Sequence, residues 1–465
     1  MKNISLDKSL SKPLYIQLYD AIVRDISDGF LPDKFKLPAR RILAKQLSVS
    51  QNTVNEAYNM LADTGYIISI PKKGHFVSFN SGEFEDIPWD IDAGETYVFT
   101  PNAVDITYFK RSSYAKIVRN IVYNDGIDIF NHPEKNGEHS LRAAVAKYLY
   151  SFRDIKCSPR QIIIGAGSEY LLTQLADVLI DFGKIGMEVP GFSRSYCAFT
   201  DSGTDVINIP ISMSGLNIDD LYKSNCSIFY CMPHCHYPTC YKMSEELKMD
   251  LLKWASESPG RYIIEDSYDS ELTWDSSDTL YSMDKNGKVI FLNTFSRALC
   301  PGLKTAYMIL PDELLSKWRK KHKFYSSFAS KTDQYALAEF IEKGYYTKHY
   351  KTMRRVYRDK RELLKRELIE SLGKKITISP KSDSTNVIVT FNLDMSSSEI
   401  KSKISAAGVK IMSIKEYSIL PSPLIPKRTF LLGTGRLSTA QIKEACQRIA
   451  QALSCLLYTS PSPRD

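Results

Sequence analysis

The sequence lacks the long apolar runs that membrane and secreted proteins carry. No stretch of about 18 uninterrupted apolar residues occurs, and the first residues, MKNISLDKSLSKPLY, contain no apolar signal core. Nine cysteines, an odd number scattered over 465 residues, form no pattern typical of a disulfide framework. A membrane span and a secreted disulfide scaffold are therefore excluded, and we expect a cytoplasmic protein with reduced thiols.

The net charge is only +8, so its distribution is more informative than its size. Residues 1–78 hold 11 basic and 7 acidic side chains, whereas residues 80–95 hold six acids and no base. This change in composition predicts a small domain at 1–78, an acidic linker at 79–90 and a large domain at 91–455. The Ser- and Pro-containing end, 456–465, is predicted to be a disordered or non-native tail.

The first 78 residues carry the periodicity of short helices followed by strands. Apolar residues recur every four positions from Leu14 to Ile26, and a short turn, QLSVS, separates two further helical stretches. Ser50 is the expected N-cap of the third helix. YIISIPKKGHFVSF then predicts two strands around a turn, and the whole pattern is typical of a winged helix-turn-helix. A small packing domain with solvated charges remains the alternative.

In a winged helix-turn-helix the third helix enters the major groove of DNA. Its first turn would present Gln51, Asn52 and Thr53 to base edges or phosphates, while Lys72 and Lys73 of the wing approach the backbone. The segment from KPLYIQLYDAIV to KKGHFV resembles the DNA-binding domain of the GntR family of bacterial regulators. That resemblance implies DNA contacts by Arg41, Ser50, Asn52 and Thr53, with Ala39 and Gln51 as departures from the usual pattern.

The remainder alternates short apolar runs with helical segments, beginning with QIIIGAG and SEYLLTQLADVLIDFG. This alternation predicts a mostly parallel sheet covered by helices, with ligands at the carboxyl ends of the strands. GAGSEYLL, EVPGF, PHCHYPTC, IIEDSYDSEL and NTFSRALCPGLKTAYMILP stand in the order found in aminotransferases of fold type I. A GntR-type winged helix joined to such a domain resembles the MocR-like regulators.

The resemblance implies a pocket for pyridoxal 5′-phosphate. The residues that match its family positions are Gly165, Ala166 and Gly167 at the phosphate, Phe192 near the ring, Arg194 as an anion-binding arginine, Asp266 at the pyridine nitrogen, Tyr268 at the ring hydroxyl, and Ser296 and Lys304 at the phosphate. Lys304 replaces a family arginine, so it would act as a point charge.

Three departures fall on the chemistry of this pocket. Arg297 stands where the family has its Schiff-base lysine, and a guanidinium has no free amine at neutral pH. Leu431 stands near the place of the substrate-carboxylate arginine, with Arg436 a few residues on, and PHCHYPTC replaces PSHQFPTG. We therefore expect no catalytic residue and no transamination, with pyridoxal phosphate bound non-covalently or not at all. An aminotransferase with an accessory DNA-binding head is the alternative.

PHCHYPTC and the preceding Cys231 also place five soft ligands within ten residues: Cys231, His234, Cys235, His236 and Cys240. Zinc sites usually add a second, distant ligand pair, and the sequence offers no obvious one. We expect reduced cysteines and histidines that line the old cofactor cleft, and no metal. The sequence as a whole predicts a transcriptional regulator that binds double-stranded operator DNA, responds to a small-molecule effector and forms a homodimer.

Overall fold

The computed structural model describes residues 4, 6–7, 12–27, 30–32, 34–63, 66–70, 73–77, 96–124, 126–273, 278–379, 384–417 and 424–454. The chain separates into two compact units, residues 1–93 and 94–465, called here the N-terminal unit and the large unit. The linker predicted at 79–90, the tail predicted at 456–465 and the wing residue Lys72 lie outside the described residues. Over the described ranges, no helix is both long and apolar enough to cross a membrane.

The N-terminal unit contains three helices and a hairpin: α1 (Leu14–Ser27), α2 (Arg40–Gln46), α3 (Gln51–Asp63), β1 (Ile67–Ile70) and β2 (Gly74–Val77). The two strands pair in antiparallel register, with Ile67 opposite Val77. Leu18, Ile22 and Ile26 form the buried stripe of α1, and they pack with the apolar face of α3. The predicted winged helix-turn-helix is confirmed, and the four-residue spacing of apolar side chains is its physical cause.

The large unit is built on a seven-stranded sheet in the order β4-β10-β9-β8-β7-β5-β6. Its strands are β4 (Ile162–Gly165), β5 (Ile185–Val189), β6 (Val206–Pro210), β7 (Ile228–Cys231), β8 (Tyr262–Asp266), β9 (Val289–Thr294) and β10 (Ala306–Ile309). β10 runs antiparallel to both of its neighbours, and the other pairs are parallel. The predicted mostly parallel sheet is therefore confirmed. Two reversals across β10 bring the end of β4 to the same edge as the ends of β5, β7, β8 and β9.

Helices cover both faces of this sheet, which explains why its strands are apolar runs without alternation. Phe291 packs into one core cluster, whereas its neighbours Ile290 and Leu292 both pack into a second cluster on the opposite face. The helices of the large unit are α4 (Arg111–Asn124), α5 (His139–Arg153), α6 (Ser168–Leu179), α7 (Ser193–Thr200), α8 (Ile218–Lys223), α9 (Glu245–Ser256), α10 (Leu280–Met283), α11 (Phe295–Ala298), α12 (Asp312–Lys321), α13 (Lys331–Glu342), α14 (Tyr345–Leu372), α15 (Ser397–Ala406) and α16 (Thr439–Ser454).

A second, antiparallel sheet has the strand order β11-β12-β15-β14 and packs with α14, α15 and α16. Its strands are β11 (Ile376–Ile378), β12 (Asn386–Phe391), β14 (Met412–Ser413) and β15 (Thr429–Gly433). A short parallel pair, β3 (Tyr97–Val98) with β13 (Val409–Lys410), ties the start of the large unit to this smaller sheet. Residues 100–103 then pass beside Gly433 and Gly435, where a side chain would collide with their backbone.

Candidate functional site

The start of α3 presents the polar side chains of the N-terminal unit that were predicted to contact DNA. Ser50 caps the helix: its Oγ accepts a hydrogen bond from the Thr53 amide at 3.1 Å and lies 2.8 Å from Thr53 Oγ1. Ser50 and Thr53 thus partly satisfy each other, while Gln51 and Asn52 are exposed. Arg41 on α2 and Lys73 in the wing are exposed as well. Of the predicted DNA-contacting residues that the structure describes, Arg41, Gln51, Asn52 and Lys73 are therefore exposed and take no part in this cap.

A cavity of about 520 Å³ opens in the large unit at the carboxyl ends of β5, β8 and β9. Seven of the nine predicted cofactor residues line it: Gly167, Phe192, Arg194, Asp266, Tyr268, Ser296 and Lys304. Arg297 lines it too. Gly165 and Ala166 do not line the cavity. Gly165 packs against α6 instead, where a side chain on it would meet Leu171 at 2.6 Å. The turn contributes to the cavity only from Gly167 onward.

One part of the cavity wall combines a helix N-terminus, a serine and a lysine, which are groups suited to an anion. Gly167 adopts φ +102° and is the residue just before α6. The amides at the start of this 12-residue helix, which have no partner within the helix, therefore lie at the cavity wall. Ser296 follows β9, where its amide is fixed by the hydroxyl of Thr294 at 3.2 Å. Lys304 lies beside Gly167 and, over the described part of the chain, its ammonium makes no ion pair or hydrogen bond. A cation, a hydroxyl and a helix N-terminus thus border the same cavity, and the carboxylate of Glu169 lies beside Gly167 as well.

Asp266 and Tyr268 form the opposite wall. Asp266 ends β8 and accepts hydrogen bonds from the Tyr230 hydroxyl at 2.5 Å and from the Tyr268 amide at 3.2 Å. Burial raises the pKa of Asp266 to about 6, because a desolvated carboxylate is unfavourable without a cation. The buried hydroxyl of Tyr268 has no hydrogen-bond partner among the described residues. Both groups gain from a ligand that brings a positively charged N–H and a polar oxygen.

Arg297 is held by four contacts and is almost fully buried, with 6% of its side chain exposed. Its Nε lies 3.1 Å from Asp269 Oδ1, and its Nη2 donates to Thr385 Oγ1 at 2.5 Å. Nη1 reaches the Ala103 carbonyl at 3.5 Å, and the guanidinium lies 5.5 Å from the ring centre of Tyr357. Burial alone would lower the pKa of Arg297, but Asp269 together with Tyr357, Tyr268 and Cys235 outweighs that effect, so the pKa is raised and the group stays charged.

A further cation of the cavity wall, Arg194, is also paired. Its Nη1 lies 3.0 Å from Glu169 Oε1, and 67% of the Arg194 side chain is exposed. Burial disfavours the charged form of Glu169, yet backbone and Arg194 hydrogen bonds and the positive charges of Lys304 and Arg194 lower its pKa on balance. Phe192 and Tyr237 meet edge to face at 5.6 Å and complete this side of the cavity. Arg194 thus borders the cavity as half of a surface ion pair.

The loop PHCHYPTC is buried behind the cavity. The Nδ1 atom of His236 lies 2.7 Å from Thr239 Oγ1, and its Nε2 lies 3.6 Å from Glu188 Oε2. Burial lowers the pKa of His236 to about 3 and raises that of Glu188 to about 8, so both are neutral at pH 7. Cys235 and Cys240 pack against the apolar side chains of the smaller sheet. Within the described ranges, no three His, Cys, Asp or Glu side chains are grouped to hold a metal ion.

Sequence reasoning missed three residues that shape the cavity. Tyr230 supports Asp266, while Asp269 and Thr385 hold Arg297. Tyr230 is hidden inside an apolar strand, and Thr385 lies 88 residues from its partner. Only Asp269 had a local signal, because it follows Asp266 and Tyr268 in the same loop. The candidate Leu431 is buried in an apolar cluster, and Arg436 is exposed and does not line the cavity.

Comparison with known proteins supports both units. Residues 14–77 match the gntR family of bacterial regulatory proteins. The chain is 32% identical to YdeL of Bacillus subtilis (strain 168), described as an uncharacterized HTH-type transcriptional regulator, over 96% of this chain and 98% of that protein. It is 25% identical to the probable rhizopine catabolism regulatory protein MocR of Rhizobium meliloti, over 99% and 98% of the two chains.

Among solved structures, the large unit resembles aminotransferases in fold. The kynurenine aminotransferase of Pyrococcus horikoshii, solved in complex with PMP, superimposes with a TM-score of 0.69. The match spans 79% of this chain and 93% of that chain at 20% sequence identity. Identity this low establishes the shared fold alone. The predicted aminotransferase fold of type I is thereby confirmed.

Proposed function

This chain belongs to the MocR-like regulators of the GntR family, and we propose that its large unit binds a pyridoxal-phosphate-type molecule without a covalent bond and without catalysis. The protein is a transcriptional regulator with an aminotransferase-like domain. The proposal concerns what that domain does: it recognises a ligand, and ligand binding changes the affinity of the N-terminal unit for operator DNA.

The observation that carries the proposal is the buried contact set of Arg297. The chemistry that pyridoxal phosphate supplies when bound is an electron-withdrawing ring and an aldehyde that a lysine amine can capture. Asp269 raises the pKa of Arg297, so no neutral nitrogen is available for such a bond at physiological pH. The guanidinium is also committed to Thr385 and Ala103. Position 297 therefore lacks the amine nucleophile of a transaminase, while the cavity keeps polar groups that suit the ligand.

The residues present fit non-covalent binding. Lys304, Ser296 and the N-terminus of α6 would hold the phosphate, because all three border the cavity and Lys304 lies beside Gly167. Asp266 would accept a hydrogen bond from the protonated ring nitrogen, which relieves the cost of burying its carboxylate. The unpartnered Tyr268 hydroxyl would donate to the ring oxygen. Each role satisfies a group that is incompletely satisfied in the protein alone.

The DNA-binding role of the N-terminal unit rests on its family and on the exposed side chains at the start of α3. We propose that Asn52 and Gln51 contact base edges, and that Arg41 and Lys73 contact phosphates. Two copies of the chain, paired as a homodimer in the cytoplasm, would match the two half-sites of an operator. Large aromatic side chains of the large unit, including Phe324 with 90% of its surface exposed, offer apolar area for such pairing.

The test combines two measurements on the full-length protein. Fluorescence anisotropy with the upstream region of its own gene is expected to show specific binding that shifts when pyridoxal 5′-phosphate is added. The protein is also mixed with pyridoxal 5′-phosphate, reduced with borohydride and analysed by mass spectrometry. We expect no adduct in the cavity of the wild type and an adduct at residue 297 of Arg297→Lys. A reduced adduct on any lysine of the cavity in the wild type, or rapid transamination of an amino acid, would overturn the non-catalytic assignment.

A further inference from the structure

The large unit is more basic than the unit that was predicted to contact DNA. Residues 96–465 hold 50 basic and 40 acidic side chains, a net charge of +10, whereas residues 1–78 have a net charge of +4. Half of the larger excess lies on the 28-residue helix α14, which has nine basic and four acidic side chains. In its first half, four exposed cations lie three or four residues apart and therefore share one face: Lys348, Lys351, Arg355 and Arg358. These four residues are called here the basic stripe.

Two other cations of α14 serve the fold and have partners within the large unit. Arg354 donates hydrogen bonds from Nε and Nη2 to the carbonyl of Glu271, at 3.2 and 2.9 Å. Lys360 is buried, and its ammonium lies 2.8 Å from the carboxylate of Asp105. A structural cation on this helix thus reaches a carbonyl or a carboxylate of another segment of the chain.

The basic stripe differs from these structural cations. In the part of the chain that the structure describes, Lys348, Lys351 and Arg355 form no ion pair. Arg358 pairs loosely with Asp359 at 3.7 Å, and both side chains are more than half exposed. Lys351 lies three residues from Lys348 and four from Arg355, and like charges at these spacings destabilise a helix. The stripe therefore weakens α14, and a bound polyanion would relieve the repulsion between its side chains.

A groove beside the stripe extends the positive surface onto α5. Lys147 of α5 lines this groove together with Lys348 and Lys351, and its volume is about 430 Å³. Phe152 lines it as well, with 51% of its surface exposed, and Lys351 Nζ lies 5.8 Å from the centre of its ring. Glu342 is an acid on the same wall, so three cations of the groove face one acid. Cations clustered along a helix are the electrostatic signature of a surface that binds nucleic acid.

We propose that the basic stripe and Lys147 bind the phosphates of duplex DNA without regard to base sequence. Residues of an α-helix rise about 1.5 Å each, so the stripe spans about 15 Å, close to the length of four phosphates of one DNA strand at about 3.4 Å each. Lysine and arginine hold phosphates without reading bases. Duplex DNA is favoured over other polyanions because the chain carries a GntR-family unit, which raises the local concentration of DNA. This inference rests on the proposed DNA-binding function and adds a second surface to it.

The salt dependence of DNA affinity tests this assignment, because each phosphate contact contributes about 0.9 to the slope of log K against log salt. Fluorescence anisotropy of the full-length protein is measured between about 50 and 200 mM salt. The probes are the upstream region of its own gene and a random duplex of equal length. A stripe variant combines Lys348→Gln, Lys351→Gln and Arg355→Gln. We expect it to bind both duplexes at least about tenfold more weakly at low salt and to reduce the slope by about 2–3.

A matched control variant removes the same charge from scattered exposed positions. It combines Lys223→Gln, Lys253→Gln and Lys374→Gln. This control, and a variant that only exchanges lysine and arginine within the stripe, are expected to keep the wild-type slope.

Three results would overturn the inference. An unchanged slope in the folded stripe variant, or an equal loss in the matched control, removes the stripe from DNA binding while operator binding stands. Loss of binding to vesicles of phosphatidylserine and phosphatidylcholine in the stripe variant, with an unchanged DNA slope, assigns the stripe to an anionic membrane surface. Failure of the wild type to bind either duplex overturns the DNA-binding function itself.

Discussion

Asp269→Asn is expected to destabilise the large unit strongly, because it leaves the guanidinium of Arg297 buried without a counter-charge. The side chains of Arg297 and Asp269 are 6% and 1% exposed, so water cannot replace the lost partner. Removal of one member of a buried ion pair typically costs about 3–5 kcal/mol. The bonds of Arg297 to Thr385 and Ala103 remain in this variant, so the cost reports the lost charge and not a general loss of packing.

Arg297→Met tests the same pair from the other side. It strands Asp269, whose pKa is already raised by burial, so the carboxyl would take up a proton and lose part of its penalty. We expect a smaller cost, about 2–4 kcal/mol including the lost Thr385 bond. The double variant replaces the pair with neutral groups of similar size. Its cost is expected to be at least about 2 kcal/mol below the sum of the single variants.

Urea unfolding followed by tryptophan fluorescence measures these costs in the relevant unit. The tryptophans are at 89, 254, 274 and 318, so residues 1–78 contribute no signal. Glu339→Gln, which breaks an exposed pair on α13, is the matched control and is expected to cost less than about 1 kcal/mol. A cost below about 1 kcal/mol for Asp269→Asn, or strict additivity in the double variant, would refute a buried and strongly coupled pair.

Three further predictions concern pH and DNA. Burial raises the pKa of Glu188 to about 8, so above pH 4.5 this carboxyl holds a proton in the folded state that it loses on unfolding. The free energy of unfolding should therefore fall between pH 6.5 and 8 by up to about 1.4 kcal/mol per pH unit. Urea midpoints should show this fall, and Glu188→Gln should flatten it. The affinity of the protein for pyridoxine 5′-phosphate should rise as the pH increases through about 6, because Asp266 ionises there. Calorimetry on the wild type and on Asp266→Asn at each pH gives a ratio of affinities in which titration of the ligand cancels, so the ratio reports Asp266 alone. Asn52→Ala should relax operator specificity by about 1–3 kcal/mol, whereas Lys73→Ala should weaken all DNA sequences alike and reduce the salt slope by about one; equal effects on cognate and random DNA by both variants would contradict the assigned roles.

Much of the fold was predictable because the relevant signals are local. A four-residue apolar spacing fixed α1, a serine before Gln51 fixed the start of α3, and uninterrupted apolar runs such as Ile162 to Ile164 indicated strands buried on both faces. Motif order also located most of the cavity wall, since residues that end parallel strands meet at one edge of a sheet. The sequence could not predict which residues of the turn Gly165 to Gly167 line the cavity, because only the packing shows that Gly165 lies against α6.

The partners of the cavity side chains could not be predicted in this way. Thr385 reaches Arg297 from the smaller sheet, and Tyr230 reaches Asp266 from a neighbouring strand. No local pattern relates residues that are 88 and 36 positions apart. The pairing of Arg194 with Glu169 likewise depends on the contact between α6 and α7. Whether each charge is free or compensated is therefore a property of the assembled chain.

The sequence by itself determined the two kinds of domain, the edge of the sheet at which the cavity lies, and the absence of an amine at Arg297. These follow from covalent identity and from periodicities of two to four residues, which act over short range. Only the tertiary structure decided that Arg297 is tied to Asp269, that Glu169 pairs with Arg194 and that the Tyr268 hydroxyl has no partner among the described residues. Electrostatic energies depend on distance and desolvation, and both are set when remote segments pack together.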